Sequence, residues 1–323
     1  MANAEQLKSL IKAHMSNDEV RFTTLALQIA AYEAKLGHSE FAFEIRDIID
    51  KNKASKVVKL KPFASDFGDL ILEIIPKERK AELIVGNEVM EKVDRILLEY
   101  KQSHKLDKYG MSNRRKVLLV GAPGTGKTMT ASVIAQELKL PLYVILMDKL
   151  MTKFMGETGN KLRLIFELIE ERKGVYFFDE FDTIGGERAK DNDVGEMRRI
   201  LNSFLHFIDK EQSDSLILAA SNNPSILDQA LFRRFDDIIT YHLPSEKEIL
   251  KLLTNKLSSF KPTFKLEPLA KIALGLSHAE ITSACRDAVK DAILHNKTKV
   301  EKAKLAKFLE HKRSVYVGRT KHG

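Results

Sequence analysis

The 323 residues are 44% hydrophobic and 30% charged, with one cysteine, no tryptophan and a formal net charge of +8. That length allows two or three domains with a substantial core, while a lone cysteine excludes an intramolecular disulfide framework and fits a reducing compartment. No apolar run approaches the roughly 20 residues needed to cross a bilayer, and charges interrupt the first residues too early for a secretory leader, so the expectation is a cytoplasmic protein without a membrane anchor.

The charge is unevenly spread. Residues 1–80 carry 13 basic and 12 acidic groups, 81–240 carry 23 and 25, and 241–323 carry 17 and 8, so the excess lies in the last segment. Its bases are mostly lysines without interleaved aromatics, which favours a solvated helical face over a nucleic-acid footprint.

Residues 3–52 read as helices, with Phe22, Leu25, Ala26, Ile29 and Ala30 on one face and Phe41, Ile45, Ile48 and Ile49 on another. Residues 1–52 are therefore expected to be a small helical domain for partner or substrate recognition, or a structural extension of the core. Lysines at 51, 53, 56, 59 and 61, with Pro62 and Pro76, mark residues 53–80 as a linker or small subdomain. Val57-Val58 and Leu70-Ile71-Leu72 are candidates there for short strands.

From residue 81 strands and helices alternate, the pattern of a parallel sheet covered on both faces. A helix is expected over Asn87 to His104. Strands follow at Val117–Val120, Leu142–Leu146, Val175–Phe178, Leu216–Ala220 and Ile238–Tyr241. The fold class is therefore α/β, with residues 81–243 as its sheet domain and 244–323 as a helical domain with a basic tail. Cys285, among Ala284, Ala288 and Val289 at helical spacing, reads as a packed thiol.

The first of these core strands runs into Gly121-Ala122-Pro123-Gly124-Thr125-Gly126-Lys127-Thr128, followed by a helix from Met129. Glycines let the backbone wrap a triphosphate, Lys127 brings charge to the β- and γ-phosphates, and Thr128 offers its hydroxyl to Mg²⁺. The helix behind the loop turns its positive end to the anion. Strand Val175–Phe178 ends in Asp179-Glu180, placed to hold Mg²⁺ through its waters and to polarise the attacking water; a strand-ending salt bridge is the plainer alternative. Asn222 ends the next strand, suited to orient that water or simply to turn the chain.

With those blocks in view, the chain resembles the AAA group of AAA+ ATPases over about Leu83 to Leu294, on five stretches: GAPGTGKT, VYFFDEFD, LILAASNNP, LDQALFRRFDD and GLSHAEITSACRDA. The resemblance implies a P-loop ATPase domain with a small helical lid, ATP and Mg²⁺ as cofactors, Glu180 as catalytic base, Asp179 as Mg²⁺ carboxylate and Asn222 as sensor. It implies that Arg233 and Arg234 act as arginine fingers on a neighbouring subunit's site, hence a homo-oligomeric ring, normally a hexamer. Many relatives separate these arginines by Pro-Gly, so which one is the finger stays open; surface pairing with Asp236 and Asp237 is the alternative. Gly86 matches the segment beside the base, and Gly275 and Ala279 match lid residues over the adenine, with His278 in place of a usual glycine. Lys153, Phe154 and Met155 match a substrate-gripping pore loop, against burial of Phe154 on the next helix. Residues 185–193 match a second channel loop, and Glu196, Arg198 and Arg199 an inter-subunit contact. The implied activity is remodelling of a protein substrate by threading, with a separate protease partner left open. A nucleic-acid machine such as a helicase loader is the alternative, disfavoured by the pore-loop block.

Overall fold

A computed structural model of the chain describes residues 8–9, 12, 19–35, 38, 43–44, 70–150, 157–185, 194–227 and 229–319. The chain divides into two compact units, Met1–Phe63 and Ala64–Gly323. In the first, helix α1 (Glu19–Lys35) buries Ala26, Ile29 and Ala30, spaced three and one apart on one face. Glu33, next on that face, is buried too, with its Oε2 2.7 Å from His38 Nδ1, and this contact holds its carboxyl below the ordinary range. Phe41, Ile45, Ile48 and Ile49 lie outside the described residues.

The second unit is built on a six-stranded sheet: β1 (Ile71–Ile74), β2 (Lys116–Gly121), β3 (Leu142–Ile145), β4 (Val175–Phe178), β5 (Leu216–Ser221) and β6 (Asp237–Tyr241), in spatial order β1-β3-β4-β5-β2-β6. Every pairing is parallel except that of β1, which joins β3 antiparallel with Ile71 opposite Ile145. The sheet therefore reaches past residue 81, the boundary expected from sequence. Ile71–Ile74 supplies its outer strand because Leu70 and Ile71 bury there, although lysines and prolines around that stretch resemble a linker.

The longer helices of this unit are α2 (Asn87–Lys101), α3 (Lys127–Leu138), α4 (Glu157–Glu171), α5 (Val194–Lys210), α6 (Glu246–Lys256), α7 (Glu267–Ile272), α8 (His278–Leu294) and α9 (Lys302–Arg319). Side chains alternate across a strand, and here both faces are apolar. Val117, Leu119, Val175, Phe177, Leu216 and Leu218 pack with Val93 and Ile96 of α2 and Ile134 of α3. On the opposite face, Phe178 lies 6.2 Å from Phe166 of α4 and 5.4 Å from Phe204 of α5, ring centre to ring centre. Apolar runs without alternation are thus the signature of strands covered twice.

Beyond β6 the chain is helical. Two capping boxes start its helices: Ser245 with Glu248 before α6, and Ser277 with Glu280 before α8. Helices α6 to α9 close over Ile249, Leu253, Leu269, Ile281, Cys285 and Leu305, and Ile84, from the segment ahead of α2, joins the same cluster. Ile84 thereby ties the helical domain to the sheet domain.

Cys285 is 1% exposed, and burial pushes its thiol up to about 12. The native protein is expected to resist iodoacetamide at pH 8 and to take up one equivalent only after denaturation, as read by intact mass.

Candidate functional site

Strand order places the chemistry. Strand β5 lies between β2 and β4, so their carboxyl ends bring the glycine loop, Asn222 and the Asp179-Glu180 pair together, where ligands bind such sheets. A cavity of about 590 Å³ opens there, walled on one side by Pro123, Lys127, Thr128, Asp179, Glu180 and Asn222 and on the other by α8.

Gly121 and Gly124 each serve a close approach. At Gly121 (φ 150°) a methyl group would lie 2.4 Å from the Tyr241 carbonyl oxygen, so the loop leaves β2 tight against β6. At Gly124 (φ 74°) it would lie 2.8 Å from Ser277 Oγ and 2.9 Å from Ala279 Cβ. The Ala279 N–H donates to the Gly124 carbonyl at 3.0 Å. Loop and lid helix therefore meet backbone to backbone.

Lys127 opens α3 and turns its ammonium back across the loop, donating to the carbonyls of Gly121 (2.6 Å) and Ala122 (3.0 Å) and to Asn222 Oδ1 (2.8 Å). Burial lowers its pKa, opposed by Asp179 and Asp182. The Thr128 hydroxyl donates to Asp179 Oδ2 at 3.0 Å. A hydroxyl and a carboxylate side by side are hard oxygen donors, and among the described residues no cluster of three His, Cys, Asp or Glu is placed to hold a metal. Such a pair fits Mg²⁺, which takes few protein ligands and completes its shell with water and phosphate.

Glu180 adopts a left-handed backbone (φ 52°), rare for a residue with a side chain. Three bonds hold it: its N–H donates to Asp179 Oδ1, and its carbonyl accepts from the Thr183 N–H and hydroxyl, each at 2.9 Å. Strain retained at a strand end inside a cleft is a mark of function.

Of the residues picked from sequence, Pro123, Gly124, Gly126, Lys127, Thr128, Met129, Asp179, Glu180, Asn222 and Ala279 line this cavity. Gly121, Ala122 and Thr125 shape the loop from behind: Thr125 Oγ1 donates to the Ala122 carbonyl at 2.7 Å. Gly86 caps α2, outside the lining, which reaches Leu83 and Ile84 instead, and Gly275 (φ 88°) turns the chain before α8. Arg233 and Arg234 stand apart from this chain's own cavity. Arg233 is exposed, whereas Arg234 Nε lies 3.3 Å from Asp209 and its Nη1 donates to the Ala230 carbonyl. Neither carboxylate suggested as their partner is the one used: Asp236 accepts the N–H groups of Arg115 and Lys116, and Asp237 pairs with Lys92 and Arg114. Lys153, Phe154, Met155 and residues 186–193 lie outside the described residues, as do the side chains of Glu196 and Arg198; Arg199 is exposed.

Sequence reasoning noted His278 only as a replacement for a usual glycine and left out Thr282, Ser283 and Arg286 of α8, all lining the cavity. The spacing of Thr282, Ser283 and Arg286, one and two helical turns on from Ala279, was the available signal.

A glycine loop, a Thr–Asp pair for a cation and a strained glutamate at one sheet edge define a nucleotide-hydrolysing site of the P-loop class. Residues 117–243 match the model of the ATPase family associated with various cellular activities (AAA). Over 316 residues the chain is 28% identical to the uncharacterised AAA family ATPase y4kL of Sinorhizobium fredii, covering 96% of this chain and 95% of that protein. It is 32% identical over 261 residues to the proteasome-activating nucleotidase of Methanothermobacter thermautotrophicus, covering 72% of this chain and 63% of the relative. With the nucleotidase of Methanocaldococcus jannaschii it shares 32% over 250 residues, 73% and 58% of the two chains. The chain thus spans about three fifths of the length of those nucleotidases. Residues 117–243 form an ATP-hydrolysing domain of the AAA family.

Gly124→Ala is expected to force the lid off the loop. Titration with ADP should show at least tenfold weaker binding, while urea denaturation shows a loss of about 1–2 kcal/mol from the strained backbone.

Proposed function

We propose that this chain is an ATP-driven protein remodeller that works as a homo-oligomeric ring, probing and pulling polypeptide through its centre. The observation that carries the proposal is the location of the arginines. Arg233 and Arg234 lie away from this chain's own cavity, and Arg233 is exposed. Arg286 lines this chain's own cavity, so Arg233 and Arg234 are left to neutralise charge on a phosphoryl group held by a neighbour. We assign that part to Arg233 because Arg234 is engaged by Asp209 and the Ala230 carbonyl. The similarity to proteasome-activating nucleotidases supports a protein substrate and a ring, with six subunits as the expected number.

Within one site, Lys127 exchanges its carbonyl partners for the β- and γ-phosphates. Thr128 and Asp179 would hold Mg²⁺, which when bound neutralises developing charge on the phosphates. Glu180 takes a proton from the attacking water, and Asn222, already tied to Lys127, orients that water against the γ-phosphate. Ala279 borders the base, with Gly86 and Gly275, outside the lining, turning the chain into the helices on either side, and Lys153, Phe154 and Met155 grip the substrate as the ring cycles. Residues 1–52 serve recognition, a separate protease is a candidate recipient of the threaded chain, and the cytoplasm is the compartment that suits a lone, buried thiol. Among the described residues no helix is long and apolar enough to cross a membrane.

Glu180→Gln should keep ATP affinity and lose hydrolysis by about 10²–10⁴-fold. A tagged copy recovered from native lysate with ATP should retain particular proteins that are absent when Phe154→Ala is added. Recovery of nucleic acid instead, indifferent to Phe154 and released by salt, would overturn the reading in favour of a nucleic-acid loader.

A further inference from the structure

Arg233 is exposed, and among the described residues its guanidinium has no hydrogen-bond or ion-pair partner. Its aim is therefore set by its backbone, which is held on both sides. Ahead of it Leu231 is fully buried, and the Arg234 N–H closes a turn onto the Leu231 carbonyl at 2.9 Å. Beyond it Phe235 is buried, and Asp236 is clamped to the first residues of β2.

One carboxylate oxygen, Asp236 Oδ2, accepts the Arg115 N–H at 2.8 Å and the Lys116 N–H at 2.9 Å, and the Asp236 N–H donates to the Lys116 carbonyl at 2.7 Å. Backbone groups supply every partner, so the clamp fixes the path of the main chain rather than the resting place of a long side chain. The nearby tie of Arg234 to Asp209 joins two partly exposed side chains, and such a pair restrains little. Strand β6 needs no help from the carboxylate, because its ladder with β2 runs from Asp237 opposite Val117 to Tyr241 opposite Gly121. What Asp236 adds is the placement of the residues ahead of that strand, Arg233 among them.

We propose that Asp236 is a positioning residue for Arg233: by binding the start of β2 it fixes where the guanidinium stands when it is offered to a neighbouring subunit's phosphoryl group. A catalytic group misplaced by about 1 Å can cost about 10²-fold in rate, and an arginine on a segment released at one end is misplaced on that scale. The inference rests on the reading that Arg233 completes a neighbour's site. Asp236 stands apart from the lining of its own chain's cavity, so its loss damages the site next door and spares its own.

In the full chain, Asp236→Ala should lower kcat for ATP hydrolysis by about 10–100-fold while KM for ATP, and ADP affinity by calorimetry, stay within about twofold of wild type. Asp236→Asn, whose amide oxygen still accepts two N–H groups, should recover most of the rate. Mixing then tells which site is damaged. Co-assembled with Glu180→Gln subunits, which supply a good arginine, Asp236→Ala subunits should regain hydrolysis; co-assembled with Arg233→Ala subunits, which need one, they should not. A wild-type rate in Asp236→Ala, an Asp236→Asn variant just as slow as Asp236→Ala, or any pattern of rescue other than by Glu180→Gln alone would overturn the inference. If Glu180→Gln and Arg233→Ala subunits fail to restore each other, completion of the site by a neighbour falls and carries this inference with it.

Discussion

The ammonium of Lys127 is the point on which this site closes. It bridges the end of β2, through the Gly121 and Ala122 carbonyls, to the end of β5, through Asn222 Oδ1. A phosphate entering the loop competes for the same three hydrogens, because an ammonium has no more to give. Phosphate capture would therefore draw the ammonium off the Gly121 and Ala122 carbonyls while Asn222 keeps its hold on it. The Asn222 N–H is 3.3 Å from Asp182 Oδ1, and Asp182 opens the short helix that follows Glu180. The lysine is thereby coupled to the backbone that carries the glutamate.

The second coupling runs to the lid. Gly124 has no side chain, so Ser277 and Ala279 can approach the loop, and the Ala279 N–H secures the contact. Ile84 packs into the helical cluster at the opposite wall. A nucleotide held with its phosphates on the loop and its base under the lid would touch both domains, and losing the γ-phosphate would change only one of the two contacts. That asymmetry is the physical requirement for turning hydrolysis into relative movement of the domains.

Much of this was legible in the sequence, for reasons that differ by element. The strands at Val117, Val175 and Leu216 announce themselves because both their faces are buried and their apolar runs are unbroken. The loop glycines and the Asp179-Glu180 pair are legible because local backbone and chemistry demand those residue types. Strand β1 was legible as a candidate short strand at Leu70-Ile71-Leu72 but not as part of this sheet: Ile71–Ile74 is flanked by lysines and prolines, and owes its place to long-range pairing with β3 that no local pattern encodes. His278 was visible only as a departure from a resemblance; its burial, which lowers its pKa, is set by packing that no local pattern encodes. The partners of Asp236 and Asp237 were likewise set by the fold, which delivers Arg114, Arg115 and Lys92 to them ahead of the neighbouring arginines.

A site that neither Arg233 nor Arg234 of its own chain reaches has a consequence that stoichiometry can expose. Subunits carrying Glu180→Gln retain intact arginines, and subunits carrying Arg233→Ala with Arg234→Ala retain an intact glutamate. Each alone should be nearly inactive. Mixed in equal amounts, they place a good arginine beside a good glutamate at some junctions, and the ATP hydrolysis rate of the mixture should rise well above that of either variant. A mixture as inactive as its components, under conditions where the two co-assemble, would contradict completion of the site by a neighbour.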